Sequence, residues 1–234
     1  IVLLFTISLF SKWNIFKKIY SDKKKIFILL ISGFLIFVNW GVWIYAVSKD
    51  KIIDASFGYF IMPIISVFLG NFFFNEPITK KGKISILLVI ISVCYLLITD
   101  FTSIPWVGLI VALSWSFYNL LRKKINVETD VGLFIESLYI LPFVLVAFYF
   151  ITINNYNDFS LSEPSIMLLL MLAGPMTVIP LFLYVRGVEL AGLGPAGMIF
   201  YITPTFQFLL GFFIYNEQFN INQLVSFILI WIAV

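Results

Sequence analysis

Phe60–Glu76 reads FIMPIISVFLGNFFFNE, and 141 residues later Tyr201–Glu217 reads YITPTFQFLLGFFIYNE. Without a gap, seven of the 17 positions are identical: Ile61/Ile202, Pro63/Pro204, Leu69/Leu210, Gly70/Gly211, Phe72/Phe213, Asn75/Asn216 and Glu76/Glu217. Each copy is long and apolar enough to be read as a membrane-spanning helix. Five apolar segments separate the two copies, and an odd number of crossings turns the second upside down. An inverted repeat in a lipid-embedded chain is the usual architecture of a secondary transporter.

Composition supports the lipid setting. The chain of 234 residues is 62% hydrophobic and 12% charged, with a mean hydropathy of +1.06. Soluble domains are about 45–50% apolar and about 25% charged, so the excess apolar surface has to face lipid. Cys94 is the single cysteine and there is no histidine. An intrachain disulfide is therefore impossible, and the commonest general base and metal ligand is missing. No GxxxxGK[ST] loop points to ATP, and no cofactor is expected.

Nine apolar segments are expected: 1–10, 26–47, 52–74, 84–99, 104–121, 131–153, 165–185, 193–215 and 221–234. The first and last read as truncated. Alternate loops hold Lys12, Lys17, Lys18, Lys23, Lys24 and Lys25, then Lys80, Lys81 and Lys83, then Arg122, Lys123 and Lys124, then Arg186. The intervening loops hold only Lys49 and Lys51. An excess of Lys and Arg marks cytoplasmic loops, so the first set is expected inside and residue 1 toward the outside. The +3 net charge is then explained by an inner face near anionic lipid and gives no pointer to nucleic acid. A cytoplasmic start needs one helix before residue 1. The expected fold is an all-α polytopic bundle of two inverted five-helix repeats, 1–100 without its first helix and 101–234 with its last helix truncated.

Pro63 and Pro204 fall mid-helix. Proline has no N–H for the carbonyl four residues back, so the Tyr59 and Phe200 carbonyls are expected to be partly free. At membrane depth such groups persist only against protein or water. The alternatives are a cavity lined by two bent helices and a packing kink healed by a neighbour. One face of 52–74 carries Ala55, Tyr59, Met62, Ser66 and Gly70, and the matching face of 193–215 carries Ala196, Phe200, Thr203, Gln207 and Gly211. Small residues at these spacings serve close helix contact, while Tyr59, Ser66 and Gln207 are candidates to face a solute. Asn39 lies deep in its segment beside Trp40 and Trp43; it either bridges helices or meets solute between flat indole walls. Glu136 is an intramembrane acid, a residue class that is usually functional; it is a candidate for solute contact or for a coupling proton, with pairing to Arg122, Lys123 or Lys124 as the structural alternative. Arg186 and Glu189 are expected to pair with each other or face water, and Cys94 to fill an apolar gap.

The Asn39–Trp40 pair, Asp54–Phe60 with Pro63 and the Gly70…Glu76 ending, Tyr118 to Lys124, Ile135–Leu138 with Leu141–Pro142, and Tyr201 to Thr205 resemble the RarD-type proteins of the EamA branch of the drug/metabolite transporter superfamily. The resemblance covers almost the whole chain. It implies ten helices in two inverted halves, a bacterial inner-membrane location, and efflux or exchange of small metabolites or drugs through a central cavity. With the reading of the residues above, Asn39, Trp40, Trp43, Tyr59, Ser66, Tyr118, Glu136, Phe200 and Gln207 are the candidate solute-binding residues. The chain departs from the pattern at Asp54, where Glu is usual, and across Arg186–Gly197. Two other classes are weighed. A membrane-embedded transferase needs a positioned base and nucleophile, which a chain without histidine supplies poorly. A scaffold or receptor needs a soluble domain that these short loops do not form.

Overall fold

A computed structural model describes residues 2–49, 52–100, 104–154, 156, 159, 163–213 and 221–233. Its regular structure is helical: α1 (Val2–Leu9), α2 (Trp13–Tyr20), α3 (Lys23–Ser48), α4 (Ile52–Phe74), α5 (Lys80–Asp100), α6 (Trp106–Ile125), α7 (Thr129–Ile153), α8 (Pro164–Ala191), α9 (Leu193–Ile199), α10 (Ile202–Phe213) and α11 (Ile221–Ala233). Each of the nine apolar segments is mainly helical where described. Among the described residues, five helices are long and apolar enough to cross a membrane by length and composition. Two details differ from the sequence reading. The stretch 193–215 is not one helix, because α9 ends at Ile199 and α10 begins at Ile202. A further helix, α2, forms from WNIFKKIY between the first two apolar segments; it is too short and too polar to register as a spanning run.

The described residues fall into two compact units. Unit 1 takes 1–37 and 121–189, and unit 2 takes 38–120 and 190–234. In unit 1 the first two turns of α7 are buried from Thr129 to Glu136. Ile19 of α2, Leu29 of α3, and Ile125, Val127, Val131 and Ile135 form one apolar cluster, so α2 turns its apolar side inward and exposes Lys17 and Lys18. Leu3 and Ile7 of α1 pack with Leu133 and Phe134 in a second cluster. Beyond Glu136, α7 carries an exposed run that includes Phe143, Val144, Leu145, Val146, Tyr149 and Phe150. Such a surface needs lipid around it.

In unit 2, α4 runs through Pro63 as a continuous helix while α9 and α10 part just before Pro204. The proline is therefore not what decides the break. At the joint, the Phe200 N–H bonds the Ala196 and Gly197 carbonyls, and the Thr203 N–H returns to the Phe200 carbonyl at 3.0 Å. The Phe200 carbonyl, expected to be free, is thus satisfied by a tight turn.

The α4 helix and its counterpart lie antiparallel. Glu76, just past the C-terminus of α4, bonds the first residues of α9, and Tyr201 reaches back to Phe60. On α5 and α11 the pairings run the same way: Ser92 Oγ donates to the Ser226 carbonyl, and Tyr95 Oη to Asn222 Oδ1 (both 2.9 Å). Residues 141 apart in sequence also meet in space. The Tyr201 hydroxyl donates to the Phe60 carbonyl (2.9 Å, 141 residues apart). The rings of Tyr59 and Phe200 lie 5.6 Å apart, and Val89 and Ile230 share one buried cluster. Residues that touch their own copies lie on the local two-fold axis that relates those copies.

Candidate functional site

In unit 2 the sequence brings a row of rings together. Trp43 of α3 meets Tyr59 of α4 at 5.4 Å, and Tyr59 meets Phe200. Phe200 meets Trp115 of α6 at 5.9 Å, and Trp115 meets Tyr118 at 6.0 Å. These spacings suit tilted aromatic contact. Trp43, Tyr59, Trp115 and Phe200 stay partly exposed, whereas Tyr118 is buried. Trp115 was missing from the sequence-predicted set. Its only signal is a place one helical turn from Tyr118's flank, indistinguishable by sequence from an interfacial tryptophan.

The other predicted residues sort by surroundings. Asn39 is buried, and its amide donates to the Val111 carbonyl (2.9 Å) and to Ser114 Oγ (3.0 Å), so it bridges α3 and α6. Trp40, its neighbour, is exposed. Ser66 is buried and its hydroxyl has no hydrogen-bond partner among the described residues. Gly197 lies so close to α4 that a Cβ there would come 2.8 Å from Ser66 Cβ. The small-residue face of α4 is thus a helix contact: Ala55, Met62, Ser66 and Gly70 are buried. The side chain of Gln207 lies outside the described residues. Cys94 is exposed and fills no gap.

At one end of α4, Asn75 takes the left-handed conformation (φ +52°). The helix stops there and Glu76 turns back, its N–H on the Gly70 carbonyl (3.2 Å). The Glu76 carboxylate accepts the Leu193 N–H on Oε1 and the Gly194 N–H on Oε2, each at 2.9 Å. These are orphan donors of a helix start, and an anion there also meets the favourable end of the helix dipole. Gly192 (φ +102°) makes the turn into α9, and a Cβ on it would meet the Glu76 carboxylate at 2.8 Å. A cleft of about 230 Å³ opens beside this junction, lined by Val67, Pro77, Ile86 and Met198 among others.

In unit 1, Glu136 is buried with Arg122. Nη1 of Arg122 lies 3.7 Å from Glu136 Oε1, and Nη2 lies 3.8 Å from Glu189 Oε1 and donates to the Thr129 carbonyl at 3.2 Å. Ser32 Oγ donates to Glu136, and Thr129 Oγ1 donates to Glu189 Oε2 (2.7 Å). Arg186, exposed, pairs with Glu189 at 3.1 Å, as its spacing predicts. One fully buried guanidinium thus holds two carboxylates. Gly132 is needed here, because a Cβ on it would overlap the Arg122 guanidinium. Nearer the α1–α2 turn, Lys12 pairs with Glu128 (2.9 Å) and Asp130 (2.6 Å). Burial pulls the Lys12 ammonium down, but the hydrogen bonds and charges of Asp130 and Glu128 outweigh that and raise its pKa above the ordinary 10.5. No group of three or more acidic or cysteine side chains could hold a metal ion among the described residues.

Comparison with known proteins fits this helical architecture. The profile of the EamA-like transporter family matches residues 1–98 and again 102–234. Protein RarD of Escherichia coli (strain K12) is 34% identical over 226 residues, covering 97% of this chain and 76% of that protein. An uncharacterized transporter of Vibrio cholerae is 32% identical over 233 residues, covering 100% and 77%. The uncharacterized transporter YojE of Bacillus subtilis (strain 168) is 34% identical over 227 residues, covering 95% and 74%. The chain belongs to the EamA-like transporter family: it is a multi-pass membrane protein of a transporter family and not an enzyme.

Proposed function

We propose that this family member is a secondary transporter that exports or exchanges a small organic solute by alternating access. Two inverted repeats, 1–100 and 101–234, trade conformations in this reading. The observation that carries it is the antiparallel crossing of α4 with α9 and α10, in which the repeat mates Tyr59/Phe200 and Phe60/Tyr201 touch. Two copies of one helix in different shapes, one continuous and one broken, are what alternating access needs at a given instant.

The solute-facing residues in this reading are the partly exposed rings Trp43, Tyr59, Trp115 and Phe200 with Trp40 beside them. Asn39 and Tyr118 hold the frame, Ser66 is taken up by the contact with Gly197, and Gln207 is kept as a candidate polar contact on its sequence position alone. Flat rings suit amphipathic or cationic organic solutes, since a cation over an aromatic face gains about 0.5–2 kcal/mol. The chain sits in the bacterial inner membrane with its Lys-rich loops cytoplasmic, following the charge bias. Glu136, paired with Arg122, is assigned the coupling proton.

Flux into proteoliposomes tests the reading. Matched cationic and anionic analogues are compared for the wild type, Tyr59→Ala and Phe200→Ala. The expected result is cation-preferring flux that falls in both variants; a clear anion preference overturns the solute class, and no flux over a broad metabolite panel overturns the transporter. Glu136→Gln is expected to remove the dependence of flux on a pH gradient, and an unchanged dependence makes Glu136 structural.

A further inference from the structure

Besides the break between α9 and α10, the two copies inside unit 2 differ in one hydrogen bond. Tyr201 and Phe60 are copies of each other, and they touch. The contact is one-directional: the Tyr201 hydroxyl donates to the Phe60 carbonyl at 2.9 Å, and Phe60 has no hydroxyl with which to return the bond. Both residues are buried, so water does not substitute. The carbonyl that is served lies next to that of Tyr59, the one whose ladder donor Pro63 removes. The helix that carries the donor is the one that is broken, between Ile199 and Ile202.

Alternating access in an inverted repeat is an exchange of shapes between copies, and this inference rests on that reading of the function. After the exchange, α4 takes the broken form and α9 with α10 the continuous one. The side chain at 60 then faces the carbonyl of 201. A phenyl ring arrives there with nothing to donate, so the cross-helix bond is missing and the Tyr201 carbonyl keeps only its local donors, the Thr205 N–H at 3.4 Å and Thr205 Oγ1 at 2.9 Å. We propose that the Tyr201 hydroxyl is a state-selecting group: it favours the transport state in which the second copy is broken, and Phe60 withholds the matching bond from the other state. The solute site itself has no part in this bias.

A hydrogen bond of ordinary net strength shifts such a two-state ratio about two- to tenfold. The test uses the whole chain in lipid nanodiscs with Cys94→Ser and spin labels at Asn75 and Ala191. Both positions are exposed and flank the hold of Glu76 on α9, a contact that the exchange must release. Two distance populations are expected in the wild type. Tyr201→Phe should raise the second population about two- to tenfold. Phe60→Tyr should raise it as well, by giving the exchanged state its own donor, and this variant keeps the test available if Tyr201→Phe fails to fold. The double variant moves the hydroxyl across the axis and should invert the wild-type preference. Population ratios unchanged in Phe60→Tyr and in Tyr201→Phe, with solute flux intact, overturn the state-selecting role and leave the transporter standing. A wild type with neither flux nor a second distance brings down the transport reading, and this inference with it.

Discussion

Replacing Arg122 by methionine probes the buried charge network of unit 1. The guanidinium is fully buried and lies 3.7 Å from Glu136 and 3.8 Å from Glu189. At an effective dielectric of about 20, each such attraction is worth about 4 kcal/mol. Desolvation of each ion costs several kcal/mol, so the intact network is close to neutral in net stability. The single variant is different, because it takes the buried cation from Glu136 and leaves Glu189 to Arg186 and Thr129. The expected loss is about 3–5 kcal/mol. Adding Glu136→Gln and Glu189→Gln removes the stranded charge, and the triple variant should return to within about 1–2 kcal/mol of the wild type. Equilibrium unfolding by titration with a denaturing detergent measures all three proteins. A loss under about 1 kcal/mol in the single variant, or a triple variant as unstable as the single one, refutes the reasoning that the pairing is what makes these charges tolerable.

Three further outcomes are expected. Gly132→Ala should cost about 1–3 kcal/mol by overpacking against Arg122, whereas Gly33→Ala should be neutral or slightly stabilising, because its Cβ would sit 3.5 Å from Glu136 in ordinary contact; the same detergent titration separates them, and equal effects contradict the geometry. Glu76→Ala leaves the Leu193 and Gly194 amides without their acceptor and should destabilise by about 1–3 kcal/mol, while Glu76→Gln should lose less; amide hydrogen exchange at 193–194 should speed up more in the alanine variant. For Lys12 the folded pKa lies above the ordinary 10.5, so its contribution is full below 10.5 and is lost as pH rises through the folded value. Lys12→Met should therefore melt below the wild type at neutral pH, with the gap closing above pH 10.5; a gap that persists into strong alkali contradicts the pairing.

Hydropathy alone placed the helices, five of which are long and apolar enough to cross a membrane among the described residues, because each is a long apolar run and little else in this chain is apolar for that length. The α2 helix escaped because WNIFKKIY mixes apolar and basic residues over eight positions, a pattern that takes its stability from packing on Leu29 and Ile135 rather than from its own sequence. The break at Phe200 escaped for a different reason. Pro63 and Pro204 are identical signals, yet only the second lies in a broken helix, and glycines at 192, 194 and 197 are what distinguish its surroundings. Arg122 and Glu136 were paired on sequence spacing as one of several possibilities, but the sharing of that guanidinium with Glu189 is a long-range contact that no local pattern encodes. Trp115 was unreadable because a tryptophan facing Phe200 and one facing lipid look alike in a string of letters.

The tight crossing of α9 on α4 relies on glycines that the first copy does not share. Gly192 and Gly197 stand where the first copy has Lys51 and Ser56. A chimera carrying residues 51–62 in place of 192–203 would force a lysine into a left-handed turn and wedge a serine side chain into a gap sized for hydrogen. The close approach at this crossing is therefore written into one copy of the 17-residue motif's helix and not into the other.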